Sequence, residues 1–115
     1  QSEVVEIPFT GTIKKEQEYG YTVTAYCNGI KHGLQKAYYS DDVLKAVFLY
    51  TNGEKNGRAI TYWPNGTKKM NANYCNGKME GIYEEWSEKG VLVCRKTFYN
   101  GKVISIKGKS LSATL

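Results

Sequence analysis

The stretches "YCNG" at 26–29, "YTNG" at 50–53, "YCNG" at 74–77 and "FYNG" at 98–101 stand 24 residues apart each time. Self-similarity at a fixed period of this size constrains the fold more than any other feature. It means one supersecondary unit stacked against copies of itself. Aligned on the tetrad, the chain holds three full units, 26–49, 50–73 and 74–97, and a degenerate one from Phe98. The agreement extends past the tetrad. Gly33, Gly57 and Gly81 follow the leading Tyr by seven residues, Tyr38, Tyr62 and Trp86 by twelve, and the turn formers Asp42, Gly66 and Gly90 by sixteen.

Each unit reads as a β-hairpin. A first strand follows the second glycine (34–39, 58–63, 82–86), then comes a short turn ("SDDV", "PNGT", "SEKG"), then a second strand reaching the next tetrad (44–50, 68–74, 91–98). The turns carry Asp, Asn, Gly and Pro, whose backbone preferences suit turn geometry. Tyr26, Tyr50 and Tyr74 close a strand on the buried face. Asn28-Gly29, Asn52-Gly53 and Asn76-Gly77 then turn the chain, because Asn and Gly accept the positive φ of tight hairpins.

Alternation along the second strands sorts the side chains. Leu44, Ala46, Phe48 and Tyr50, then Met70, Ala72 and Tyr74, then Leu92, Cys94 and Phe98 share one face, expected to be buried. Lys45, Lys69, Asn71, Asn73, Arg95 and Thr97 share the wetter face, which Val47, Leu49 and Val93 interrupt. The recurring Tyr38, Tyr62 and Trp86 are expected as a ladder in the core. Tyr39 and Trp63 lie beside them on the opposite face and are not repeated in the third unit, where Ser87 stands. With Lys45 and Lys69 they form the candidate interaction surface, since exposed aromatics and cations are the side chains that partners engage.

The resulting organisation is all-β, about eight to ten antiparallel strands in consecutive hairpins. Residues 1–25 read as N-terminal capping strands and a partial repeat, with "YGYTVTAY" as its second strand. Residues 26–97 are three 24-residue hairpin repeats, and 98–115 a degenerate C-terminal repeat and tail. In the last unit Ser105 stands where Gly is expected and Ser110 where the aromatic is expected. Atypical ends suit an array that must cap its open edges, a need that homodimerisation would also serve.

No catalytic or metal constellation emerges. Cys27, Cys75 and Cys94 lack paired spacing. At ~4.8 Å per strand, Cys27 and Cys75 should lie ~19 Å apart and Cys75 and Cys94 ~10 Å, beyond the ~7 Å reach of a disulfide. Free thiols are therefore expected. His32, the single histidine, occupies a tetrad position filled by Asn56 and Glu80 elsewhere and reads as solvated surface. Glu84 and Glu85 are adjacent on a strand, so they point to opposite faces and cannot flank one bond. "NGEKNG" lacks both the phosphate-loop spacing and a following helix. The chain is expected to be no enzyme and to need no cofactor or metal.

At this point the residues resemble a known family. The pattern Y-x-N-G-x-x-x-G-x-x-x-x-Y, carried by "YCNGIKHG", "YTNGEKNG" and "YCNGKMEG", is similar to MORN-type repeats. Its 24-residue form is similar to the bacterial MORN-variant group often labelled YwqK-type antitoxins, over about residues 19–107. The resemblance implies an elongated, twisted, single-layer sheet. It also implies binding or scaffolding, with protein partners in many cases and phospholipid for some, and the antitoxin label implies a partner that is neutralised.

The leading expectation is a non-enzymatic repeat scaffold that binds a partner protein through its sheet surface. The alternative is an anionic surface or polymer: lipid head groups, cell-wall glycan or nucleic acid. The formal charge of +5, spread along the chain, motivates that alternative. No run approaches the ~18 apolar residues of a membrane-spanning helix. Gln1 in place of Met reads as a processed or trimmed chain, and a removed signal would place the protein outside or in the envelope. Three unpaired thiols point instead to a reducing, cytoplasmic compartment.

Overall fold

The computed structural model describes residues 8–107. All its regular structure is strand: β1 (Gly11–Gln17), β2 (Gly20–Cys27), β3 (Ile30–Tyr39), β4 (Leu44–Thr51), β5 (Glu54–Tyr62), β6 (Lys68–Cys75), β7 (Lys78–Met79), β8 (Gly81–Trp86), β9 (Leu92–Tyr99) and β10 (Lys102–Lys107). Each pairs antiparallel with its neighbour in one open sheet, β7 being a two-residue stub on β6. The molecule is elongated, 70 × 35 × 19 Å, as a meander of hairpins without a second layer must be. The expectations for 1–7 and 108–115 lie outside the described residues.

Two alternating turns build the repeat. At the Asn-Gly edge both central residues have positive φ: Asn28 52° and Gly29 80°, Asn52 49° and Gly53 86°, Asn76 49° and Gly77 84°, Asn100 54° and Gly101 82°. That is the two-residue turn whose twist matches its flanking strands. At the opposite edge the loops close by paired backbone bonds: Trp63 N–H to the Thr67 carbonyl and Gly66 N–H to the Trp63 carbonyl, with equivalents from Tyr39 and Asp42 and from Ser87 and Gly90. Asp42, Gly66 and Gly90 take positive φ there, giving a type I turn followed by a left-handed residue.

In the first two units the second glycine has another role than starting the first strand, whereas Gly81 does open β8. β3 and β5 already begin at Ile30 and Glu54, directly after the Asn-Gly turns, so the sequence-based starts at 34 and 58 fall four residues late. Gly33 and Gly57 sit inside these strands, where the register slips between Thr24 and Tyr26 and between Phe48 and Tyr50. At a φ of 105° and 111°, an L side chain would be strained. A smaller slip recurs beside the loops, between Ala37 and Tyr38, Thr61 and Tyr62, and Glu85 and Trp86. It leaves Lys45, Lys69 and Val93 as the unpaired extra residues.

Register fixes the faces, because directly opposed residues share one. One face carries the row Thr22, Ala37, Ala46, Thr61, Met70, Glu85, Cys94 and, beside it, Thr24, Gln35, Phe48, Ala59, Ala72. The buried residues Thr24, Ala46, Ala59 and Ala72 all belong to these rows. The other face carries Val23, Lys36, Val47, Ile60, Asn71, Glu84 and Arg95.

The core expectation needs correction. Tyr38, Tyr62 and Trp86 are only half-buried, and alternation from Lys36, Ile60 and Glu84 puts them on the second face, away from the alanines. A single layer has no partner sheet to enclose a large ring. Only small side chains between flanking aromatics are lost from solvent. Lysine stems complete the cover: Lys55 Nζ lies 4.4 Å from the Phe48 ring centre and 5.2 Å from that of Tyr74, and Lys31 Nζ 5.1 Å from that of Tyr50.

Candidate interaction surface

The four residues singled out in the sequence meet in pairs at the loop edge. Lys45 Nζ lies 5.5 Å from the Tyr39 ring centre, and Lys69 Nζ 4.5 Å from that of Trp63. Both aromatics are also tied down. The Tyr39 hydroxyl donates to the Tyr62 carbonyl at 2.8 Å, and Trp63 Nε1–H donates to the Trp86 carbonyl at 3.0 Å. Each thus fastens its loop to the next repeat. Burial raises the Tyr39 phenol above its ordinary pKa. Ser87, the third residue in this series, instead accepts from Lys89 and Val91 N–H within its own loop.

The Asn-Gly edge has a matching ladder that sequence reasoning missed. The turn N–H groups of Asn28, Asn52, Asn76 and Asn100 donate to Thr10 Oγ1, His32 Nδ1, Asn56 Oδ1 and Glu80 Oε1 at 3.0–3.2 Å. His32 is exposed yet has a partner, its Nδ1 accepting from Asn52 N–H. The signal was present in part: His32, Asn56 and Glu80 occupy one repeat position and all carry an acceptor atom, while Thr10 stands two residues past the equivalent Pro8.

Glu84 and Glu85 separate as expected. Glu84 pairs across from Arg95, whose Nε–H donates to Glu84 Oε2 at 3.0 Å, while Glu85 faces Met70 and Cys94. Burial first, then the Glu85 carboxylate, pushes the Tyr83 phenol up to about 12. Cys27, Cys75 and Cys94 are free thiols. Among the described residues no cluster of His, Cys, Asp or Glu could hold a metal ion, and no helix is long and apolar enough to cross a membrane.

The second face contains the feature least accounted for by the fold. Between β2 and β5 it presents Val23, Val47 and Ile60 in one row and the opposed pair Leu34 and Leu49 beside it. Leu34 is 45% and Leu49 39% exposed, and neighbouring Ile30 49%. Tyr21 and Tyr38 stack at 4.9 Å at the other end of these strands. Lys36 and Arg58 stand at the patch, and neither forms an ion pair with a described residue. In the next repeat the same positions hold Asn71, Asn73, Arg58 and Glu84, which line an open groove together with Ala72 and Ile82. Val47 and Leu49 were legible as interruptions of a polar face. Leu34, Ile60 and Val23 join them only once the register is known.

Residues 31–52 and 55–76 match the family model of the MORN repeat variant. The two matches are displaced by 55 − 31 = 24 residues, the period of the tetrad. Each MORN-variant match runs from the strand after one Asn-Gly turn, through the loop-edge hairpin, to the Asn of the next turn. MORN repeats are generally binding and scaffolding modules, and the apolar patch lies largely within these two matched units. No curated protein matches the chain.

Proposed function

We propose that this chain is a non-enzymatic scaffold that binds a partner protein on the second face of its sheet, over β2–β5. One observation carries the reading: an apolar patch of Ile30, Leu34, Leu49, Val47 and Ile60 on an open face, flanked by the cations Lys36 and Arg58, which form no ion pair among the described residues. Exposed apolar area of this kind gains most by being covered. The flanking cations select a partner whose apolar contact is bordered by carboxylates. The edge residues Tyr39, Trp63, Lys45 and Lys69 then act by holding the loops in register. Neutralisation of a toxin would be one form of the same binding.

The test is site-specific photo-crosslinking in the native cell. The crosslinker is placed at Leu49 in one variant and at the repeat-equivalent Asn73 in another, and the captured protein is then purified and titrated. Capture from position 49 and not 73, with affinity that persists at high salt and drops on Leu49→Asn, supports the reading. Equal capture from both positions, or binding that collapses as salt rises, favours attraction to an anionic surface or polymer instead.

A further inference from the structure

We propose that Asn100 is a site of spontaneous self-modification, where the chain converts Asn to aspartate and isoaspartate, and that Lys78 promotes it. The chemistry needs only the chain and water. The Gly101 backbone nitrogen loses its proton to solvent and attacks Asn100 Cγ. A new N–Cγ bond forms, the Cγ–Nδ2 bond breaks, and ammonia leaves. Water then opens the resulting five-membered imide at either carbonyl, giving aspartate or isoaspartate. Glycine following Asn offers the least steric resistance to this attack, so each Asn-Gly turn has the required sequence.

The stack of repeats holds three of these turns shut. The attacking nitrogens of Gly29, Gly53 and Gly77 each donate to a backbone carbonyl of the preceding unit, from Phe9, Lys31 and Lys55, at 2.7–2.8 Å. The Asn N–H is held by the acceptor ladder in all four turns, Asn100 included, so the difference lies elsewhere. Cyclisation must break the glycine bond and rotate the turn. It therefore requires local opening, which is rarest where a unit is packed on both sides.

Three observations set the last turn apart. Its glycine bond, Gly101 N–H to the Met79 carbonyl, is the longest of the series at 3.0 Å. Among the described residues the strand that follows it, β10, pairs with β9 alone. Above all, Lys78 Nζ donates to Asn100 Oδ1 at 3.4 Å. When nitrogen attacks Cγ, that oxygen takes on negative charge, and a cation already placed on it stabilises the charge as it develops. Asn28, Asn52 and Asn76 show no such contact among the described residues. Conversion to isoaspartate lengthens the backbone by a methylene inside a turn that depends on positive φ at both residues. The modification therefore loosens the array from its C-terminal end.

The experiment is a time course of the intact chain at mildly alkaline pH, with peptide mass mapping and isoaspartate quantification at Asn28, Asn52, Asn76 and Asn100. Asn100 is expected to convert several-fold faster than the other three. Unfolding in urea should accelerate the other three and bring all four rates together. Lys78→Gln should slow Asn100 several-fold and leave Asn52 and Asn76 unchanged, while Lys78→Arg should retain most of the rate. Circular dichroism verifies that each variant keeps its sheet. Equal rates for Asn100 and Asn52 in the folded chain, or an unchanged Asn100 rate in a folded Lys78→Gln protein, would overturn the proposal.

Discussion

The same repeat positions build two different surfaces on the second face. At β3–β5 they are Leu34, Val47, Leu49 and Ile60. At β5–β9 they are Arg58, Asn71, Asn73 and Glu84, with Arg95 closing an ion pair onto Glu84. The backbone beneath shares its turns and its slips beside the loops in both halves, although the strand after the Asn76-Gly77 turn is interrupted between β7 and β8. So the difference is not required by folding. The polar half shows that this fold accepts Asn, Arg and Glu at these positions. The aliphatic half must then answer to something outside the hairpins, which is why we assign the contact to it.

The comparison breaks most readily if the polar residues are moved into the apolar half. Leu34→Arg with Leu49→Asn copies Arg58 and Asn73 one repeat earlier. Partner affinity is expected to fall roughly 100-fold, about 2.7 kcal/mol, as when central contact residues are lost. Thermal stability should change little, since both leucines are well exposed. A titration calorimetry series with a parallel melting curve checks both halves of the statement. Affinity within twofold of wild type would place the contact elsewhere.

Gly57→Ala probes how the backbone supports that patch. The residue has φ 111°, and a Cβ there would lie 2.9 Å from Leu49 Cδ2. Backbone strain should cost about 1–3 kcal/mol in chemical denaturation. The displaced Leu49 should weaken binding as well. Gly81→Ala is its control in the polar half: φ is 84° and nothing lies within 4 Å of the added carbon. It should show strain without loss of affinity. If the two variants weaken binding equally, Gly57 has no special tie to the patch.

Trp63→Phe separates the two duties of the loop edge. It keeps a ring beneath Lys69 but removes the Nε1–H donor to the Trp86 carbonyl. Stability should fall by about 1 kcal/mol, the usual net worth of such a bond, with affinity nearly unchanged. A large loss of affinity from this single substitution would return Trp63 to the role of direct contact that the sequence first suggested.

These outcomes follow how the information is distributed in the chain. The hairpin array was legible because Asn-Gly and the glycine seven residues after each tetrad Tyr are dictated locally, by φ. The faces of Ala46, Phe48, Ala72 and Cys94 were legible because alternation is local too. What alternation could not supply was the partner of each strand. A slip of one or two residues beside the turns that flank β3, β4 and β5 decides that Leu34 opposes Leu49 and that Val47 lies between Lys36 and Ile60. The core was misjudged for a similar reason. Recurrence of Tyr38, Tyr62 and Trp86 signals a constraint, but in a single layer that constraint sits beside the loops rather than under a second sheet. Tyr39 and Trp63 were recognised as distinctive, while their bonds run to residues 23 positions away and leave no short-range trace.

The smallest expected effect contrasts two phenols, one in each half of the molecule. Tyr21 and Tyr83 are both pushed up to about 12 from 10.0, for different reasons. Tyr21 owes its shift first to the hydrogen bond it donates to Asp42 Oδ1 at 2.6 Å, Tyr83 first to burial. Below pH 10 both phenols are neutral, folded or unfolded, and their contribution to stability is complete. Between 10 and 12 the unfolded chain ionises while the native state keeps its protons. The unfolded state then binds fewer protons, so stability declines with rising pH and the contribution is gone above the folded value. Asp42→Asn should bring the Tyr21 titration down, because a neutral acceptor no longer opposes the phenolate. Asn also suits the positive φ of 68° at this position, so the loop is retained. Glu85→Gln should move Tyr83 much less, since burial remains. Alkaline titration of the phenolate absorbance, with each Tyr→Phe variant to assign the steps, distinguishes the two. Equal shifts in both variants would mean that charge, rather than burial, governs the C-terminal half as well.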